Sequence, residues 1–193
     1  MERTGKFDRD TFDSTRNHIS QFINRLPIEW NSSEFSILEV GPQSRSEVQR
    51  RYPKSNYKSL DIVDDFSPDI VGDLIIKNEH IPNSSFDVIF VMEVLEHTLN
   101  PFLALEEVRR ICKDGGYVVL SAPLNWRIHG PIPDCWRFTE FGWRVLLKDW
   151  DIVEIDKLET EDRPLFPIKY NLLARCIKSK NVAYADLKFD LIK

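Results

Sequence analysis

Ile37-Leu38-Glu39-Val40-Gly41 constrains the fold of this chain more than any other stretch. Three apolar residues enclose one carboxylate, and a glycine follows at once. This reads as a buried strand that ends in a sharp turn. Glycine there allows φ > 0 or a close approach of backbone to a ligand. A carboxylate at the end of a buried strand is costly to desolvate, so Glu39 requires a hydrogen-bonding or cationic partner. Ser44-x-x-Glu47 and Ser46-x-x-Gln49 both fit a capping box for a short helix that Pro53 stops.

Strand, glycine turn and helix form the opening unit of a nucleotide-type α/β fold. A dinucleotide site needs three glycines in the turn, so that backbone can crowd a pyrophosphate. Here Gln43, Ser44, Arg45 and Ser46 follow. A pyrophosphate ligand is therefore disfavoured, and an adenosyl group without phosphates remains.

The acids that follow agree with that ligand. Tyr57–Ile62 reads as a second strand, and its Asp61 lies 20 positions after Gly41. That interval places a carboxylate on both ribose hydroxyls, the alternative being a surface aspartate at a turn. The link after it, Val63–Pro68, leaves almost no room for a crossover helix. Asp69–Leu74 reads as a short third strand. Asp73 there either meets an adenine amino group, with Leu74 on the ring, or caps a turn. Phe86–Met92 is apolar almost throughout, as in a central parallel strand buried on both faces. Glu93-Val94-Leu95-Glu96-His97 then leaves the sheet. Asn100-Pro101 opens a helix with proline at its first position, and Gly115-Gly116 ends it.

Tyr117–Ala122 is the next strand. Residues 123–138 hold three prolines, two tryptophans, Arg127, His129, Asp134 and Arg137. A loop this long and aromatic inside a domain points to a lid or binding loop. Thr139 caps a helix through Leu147, with Phe141, Val145 and Leu146 as expected core. Asp151–Ile155 and Leu172–Ile177 are expected to pair antiparallel at the sheet edge. Ahead of all this, Phe12, Ile19, Phe22, Ile23 and Leu26 share one face of a helix that Pro27 closes.

A length of 193 residues suits one domain, here 1–193, with an N-terminal helix in 11–30, a core over 35–178 and a tail over 179–193. The net charge of −5 supplies no basic field for nucleic acid or anionic membrane. Cys112, Cys135 and Cys176 have neither metal-ligand spacing nor an even count, which favours a reducing compartment and no metal. With no apolar signal core and no run long enough to span a bilayer, the expectation is a cytoplasmic protein.

Taken in order, Ile37–Gly41, Leu60-Asp61, Gly72-Asp73-Leu74, Phe86–Ile89, Val94–His97, Asn100–Arg109, Gly115–Pro123 and His129–Thr139 resemble the class I S-adenosylmethionine-dependent methyltransferases, in particular the small type 11 branch. The resemblance runs from about Ser36 to Ile155. It implies a Rossmann-like α/β fold: a seven-stranded, mostly parallel sheet with a terminal antiparallel strand and helices on both faces. It implies S-adenosyl-L-methionine as cofactor. Glu39, Gly41 and Pro42 would face its methionine part, Asp61 the ribose, Ile62, Asp73 and Leu74 the adenine, and Met92 and Glu93 the methionine moiety. This sequence keeps only Gly41 of the family's two or three loop glycines.

Methyl transfer to a small-molecule or sugar-type oxygen or nitrogen nucleophile is the activity expected from that resemblance. His97 and His129 are the base candidates. Each has a structural alternative, His97 orienting its turn and His129 a loop hydrogen bond. Asp134, Trp136 and Arg137 either bind substrate or staple their own loop through an Arg–Asp pair. Two rivals stand beside this reading: a non-catalytic cofactor-binding or interaction module, and a nicotinamide-dependent oxidoreductase that the missing glycines disfavour.

Overall fold

Alternation of buried side chains along the strands decides which face each one packs on. In the computed structural model, which describes residues 5–43 and 46–189, seven strands form one sheet in the order β3-β2-β1-β4-β5-β7-β6. They are β1 (Ser36–Val40), β2 (Asn56–Asp61), β3 (Ile70–Val71), β4 (Phe86–Met92), β5 (Cys112–Pro123), β6 (Trp150–Leu158) and β7 (Lys169–Cys176). All neighbours are parallel except at β7, which runs antiparallel to both β5 and β6. The expected hairpin is present, but its second strand lies inside the sheet and β6 takes the edge.

Successive residues of the central strands feed two cores. Leu38, Ile89, Val91, Val118 and Leu120 pack with α3 (Pro101–Ile111) and α4 (Glu140–Leu146). Ile37, Val88, Phe90 and Val119 pack with Phe22, Ile23 and Leu26 of α1 (Lys6–Arg25) and with Val48 of α2 (Glu47–Arg51). Helices thus cover both faces. Phe12 departs from its expected place: it is exposed, with the Arg16 guanidinium 4.7 Å above its ring. In α4 the buried residue is Trp143, and Phe141 lies exposed against Phe189. Of the expected core residues of α4, Leu146 packs partly buried against the core while Phe141 does not.

The caps follow the sequence chemistry. Asn100 accepts from the backbone of Phe102 and Leu103, and Thr139 from that of Gly142. Ser46 caps α2 by accepting from Gln49 N, while the alternative box at Ser44 lies outside the described residues. Gly115-Gly116 does not end α3. The helix stops at Ile111, Cys112 already pairs with Phe86, and residues 113–116 bulge before Tyr117 meets Val88. A Cβ on Gly116 would lie 2.7 Å from Asp87 O, so these glycines serve the bulge. The third strand is only Ile70–Val71, and no helix crosses between it and β2. Among the described residues no helix is long and apolar enough to cross a membrane.

Candidate functional site

The carboxyl ends of β1, β2 and β4 meet where the strand order reverses, the place at which open α/β sheets bind ligands. Backbone hydrogen bonds carry the sheet past its strand ends there. Gly41 N donates to Leu60 O at 2.8 Å, Gly72 N to Asp61 O at 2.9 Å, and Glu93 N to Ser121 O at 3.0 Å. Gly41 has φ +65, and a Cβ on it would press on Val94 at 3.1 Å. This position therefore needs glycine for both its conformation and its space.

A cavity of about 350 Å³ opens over these ends. Gly41, Asp61, Ile62, Asp73, Leu74 and Glu93 line it, with His97 at its far side. Asp61 Oδ1 takes only a long 3.3 Å bond from Val63 N, so the carboxylate keeps capacity for a ligand. Asp73 caps a turn, its Oδ1 accepting from Ile75 N at 3.0 Å, and it also lines the cavity. Buried Asn78 holds that turn by donating to Asp73 O, and Glu107 holds Asn78 in turn.

Glu39 does not share that cavity with Asp61 and Asp73. It lies on the other side of Gly41, in a second hollow of about 360 Å³ with Pro42, Met92, Arg16 and Arg50. The partner its burial requires is a pair of hydroxyls, Ser46 and Tyr57, the latter at 2.7 Å. Burial pushes its carboxyl above the ordinary range, against the pull of those two bonds. Gly41 and Glu93 border both hollows. One extended ligand could therefore pass from one to the other, with Arg16 and Arg50 at the second end. The sequence pattern singled out neither arginine, because nothing local distinguishes them from other surface cations.

Glu93 sits at φ +56 just past β4. Its Oε1 accepts from Ser121 Oγ and from Lys169 Nζ, each at 2.8 Å. Burial alone would raise its carboxyl, but the Lys169 charge and hydrogen bond and the Ser121 hydroxyl bring it below the usual range. A single 3₁₀ turn, Leu95–His97, follows. Glu96 in it is wholly buried, and its carboxyl is raised well above the usual range by burial and then by nearby Glu93.

The aromatic loop folds back over this turn. Cys135 N and Trp136 N donate to Glu96 O, and Trp136 Nε1 donates to Thr98 O at 2.9 Å. Asp134 and Arg137 form a two-point ion pair, and Arg137 also donates to Arg127 O. Asp134 Oδ2 further accepts from His129 N at 2.9 Å and faces His129 Nδ1 at 3.1 Å. Asp134 and Arg137 are thus paired with each other and with the loop, as the stapling alternative expects. Trp136 stacks on Phe138, half out of the fold. His97 and His129 come together, ring centroids 4.9 Å apart. Burial lowers the His97 imidazole.

Solved structures share this architecture. A chain from the complex between the Haloferax volcanii Trm112 methyltransferase activator and a methyltransferase superposes with a TM-score of 0.66 at 17% identity, covering 88% of this chain and 92% of that one. An Archaeoglobus fulgidus SAM-dependent methyltransferase gives 0.63 at 17%, over 83% and 94%. The trans-methyltransferase CalH, complexed with SAH, gives 0.63 at 17%, over 81% and 55%. No curated protein sequence matches the chain significantly. A family model described as a methyltransferase domain matches residues 12–158, which takes in most of α1, both hollows and the whole aromatic loop. On that match, and with the strand order and switch-point cavity in agreement, this chain belongs to the methyltransferase-domain family.

Proposed function

We propose that the chain, acting as one domain, is an S-adenosylmethionine-dependent methyltransferase for a small-molecule or sugar-type nucleophile. The observation that carries this reading is the pair of hollows joined at Gly41 and Glu93. One has Asp61 and Asp73 at strand ends for ribose and adenine, and the other has cationic Arg16 and Arg50 for an amino-acid carboxylate. No glycine cradle for a pyrophosphate accompanies them. CalH, on the same fold, is known with SAH bound.

In the reaction the acceptor's lone pair forms a bond to the methyl carbon. The C–S bond breaks with its electron pair left on sulfur, and the acceptor loses a proton. The sulfonium already activates the methyl group, so the protein chiefly supplies alignment, worth up to roughly 7–11 kcal/mol. His97 lines the cavity next to Glu93, where the sulfonium would lie, and His129 stands behind it. Exposed apolar Leu99 and Ile132 beside the same cavity favour a second reading, an interaction module with a methyltransferase fold. Isothermal titration with S-adenosylhomocysteine, followed by methyl transfer from labelled S-adenosylmethionine to a panel of hydroxyl and amine acceptors, tests both. Absence of cofactor heat at millimolar concentration removes the methyl-donor reading, and binding without turnover on any acceptor favours the module.

A further inference from the structure

Glu96 is the least explained group in the molecule. Its side chain has no exposure, and neither carboxyl oxygen has a hydrogen-bond partner among the described residues. A buried carboxyl left in that state is costly, and native folds rarely tolerate it. The backbone beneath it is held in place, its carbonyl oxygen accepting from Cys135 N and Trp136 N.

Two imidazoles face it. His97 Nε2 and His129 Nε2 each lie 3.8 Å from Glu96 Oε1, too far for a hydrogen bond. The opposite nitrogen of each ring is engaged by a group that can only accept. His97 Nδ1 lies 3.0 Å from Pro133 O, and His129 Nδ1 lies 3.1 Å from Asp134 Oδ2, on a carboxylate paired with Arg137. In a neutral ring, that contact places the proton on Nδ1 and leaves the Nε2 lone pair toward Glu96. Three potential ligand atoms thus converge, all within 4.8 Å of one another.

We propose that Glu96, His97 and His129 bind one divalent transition-metal ion through Oε1 and the two Nε2 atoms, leaving a position open on the cavity side for an oxygen of the methyl acceptor. Two imidazoles and a carboxylate suit zinc, iron(II), cobalt or manganese. Ligand atoms about 2.1 Å from a shared ion stand about 3.4 Å apart, so the two 3.8 Å separations from Glu96 close with shifts of a few tenths of an ångström, and the two imidazoles approach each other from within 4.8 Å. The Nδ1 contacts are the outer-shell bonds that orient metal-binding histidines.

The role in methyl transfer rests on the reading above; the site itself does not. His97 walls the cavity beside Glu93, so the open position faces the place where the methyl group would be presented. An ion there acidifies a bound hydroxyl. Its proton leaves to water, the oxygen pair takes the methyl carbon, and the C–S pair stays on sulfur. The acceptor class is thereby narrowed to hydroxyl compounds, and the imidazoles act on them through the ion.

The test uses chelator-treated full chain carrying Cys135→Ser, which removes an exposed thiol from the readout. Cobalt(II) is titrated by visible absorption and zinc by calorimetry, and S-adenosylhomocysteine is titrated separately. The expected result is one ion per chain, bound at least ~100-fold more weakly by Glu96→Gln and by His129→Ala. S-adenosylhomocysteine affinity should be unchanged in both variants, which also shows that they fold. Azide should perturb the cobalt spectrum through the open position. Absence of saturable binding, equal binding by the variants, or a spectrum indifferent to azide overturns the proposal. If S-adenosylhomocysteine still binds in that case, the methyltransferase reading stands without the ion. If the ion binds and S-adenosylhomocysteine does not, the reverse holds.

Discussion

Lys169 Nζ lies 2.8 Å from Glu93 Oε1, tying the first residue of the antiparallel strand to the residue that joins the two hollows. Lys169 is 1% exposed, so the lysine end of this pair lies out of water. Lys169→Met leaves Glu93 with Ser121 alone and should cost about 3 kcal/mol in urea unfolding, the low end for breaking a buried pair because Glu93 keeps some exposure. Adding Glu93→Gln should recover part of that loss. A double variant as unstable as the sum of the two single ones would show that the pair is not coupled.

Glu107 braces the Asp73 turn of the cavity at one remove, through Asn78. Burial works against its ionisation, but the bidentate Arg110 bonds at 2.7 and 2.8 Å and two bonds from Asn78 outweigh it and hold the carboxyl below its ordinary range. A depressed carboxyl stabilises the fold fully above its unfolded pKa of about 4.3, and that stabilisation is lost as pH falls through the folded value. Glu107→Gln should therefore cost about 1.5–3 kcal/mol near neutrality, with the gap from wild type narrowing below about pH 4. Unfolding curves across acid pH measure it, and a gap independent of pH would exclude the assigned charge.

Asp61 and Asp73 should not contribute equally to cofactor affinity. Asp61 has spare acceptor capacity, whereas one oxygen of Asp73 already caps its turn at Ile75 N. Asp61→Ala should weaken S-adenosylhomocysteine binding roughly 10- to 100-fold, and Asp73→Asn about two- to tenfold. Calorimetry ranks them, and the reverse order would move the ribose away from β2.

Arg16 and Arg50 border the second hollow and are both exposed. Replacing both with Gln should weaken S-adenosylhomocysteine about three- to tenfold, as suits solvent-screened charges. Affinity for 5′-methylthioadenosine, which lacks the amino-acid end, should not change. An equal loss for both ligands would mean that the arginines act on the fold and not on a carboxylate.

How much of this was legible in the sequence varies with the range of the interaction involved. Phe86–Met92 and the caps at Asn100 and Thr139 are local patterns, and the strand and both caps match the structure. Asp61 and Asp73 reach the cavity because strand-end acids at that spacing have few other places to go. Gly115-Gly116 misled because a helix stop and a strand bulge ask for the same residue. For Asp134 and Arg137 the sequence left both a staple and a substrate contact open, because side-chain pairing inside an irregular loop has no periodic signature.

The sequence by itself determined the strands, their burial on two faces, the turn at Gly41 and the absence of a phosphate cradle, all set by neighbours a few residues apart. Only the tertiary structure decided that Glu39 turns away from Asp61 toward Ser46 and Tyr57, and that Lys169 reaches Glu93 across 76 positions. It also decided that His129 meets His97 and a buried Glu96. Those contacts join segments far apart in the chain, and their geometry exists only once the sheet has set where each strand ends.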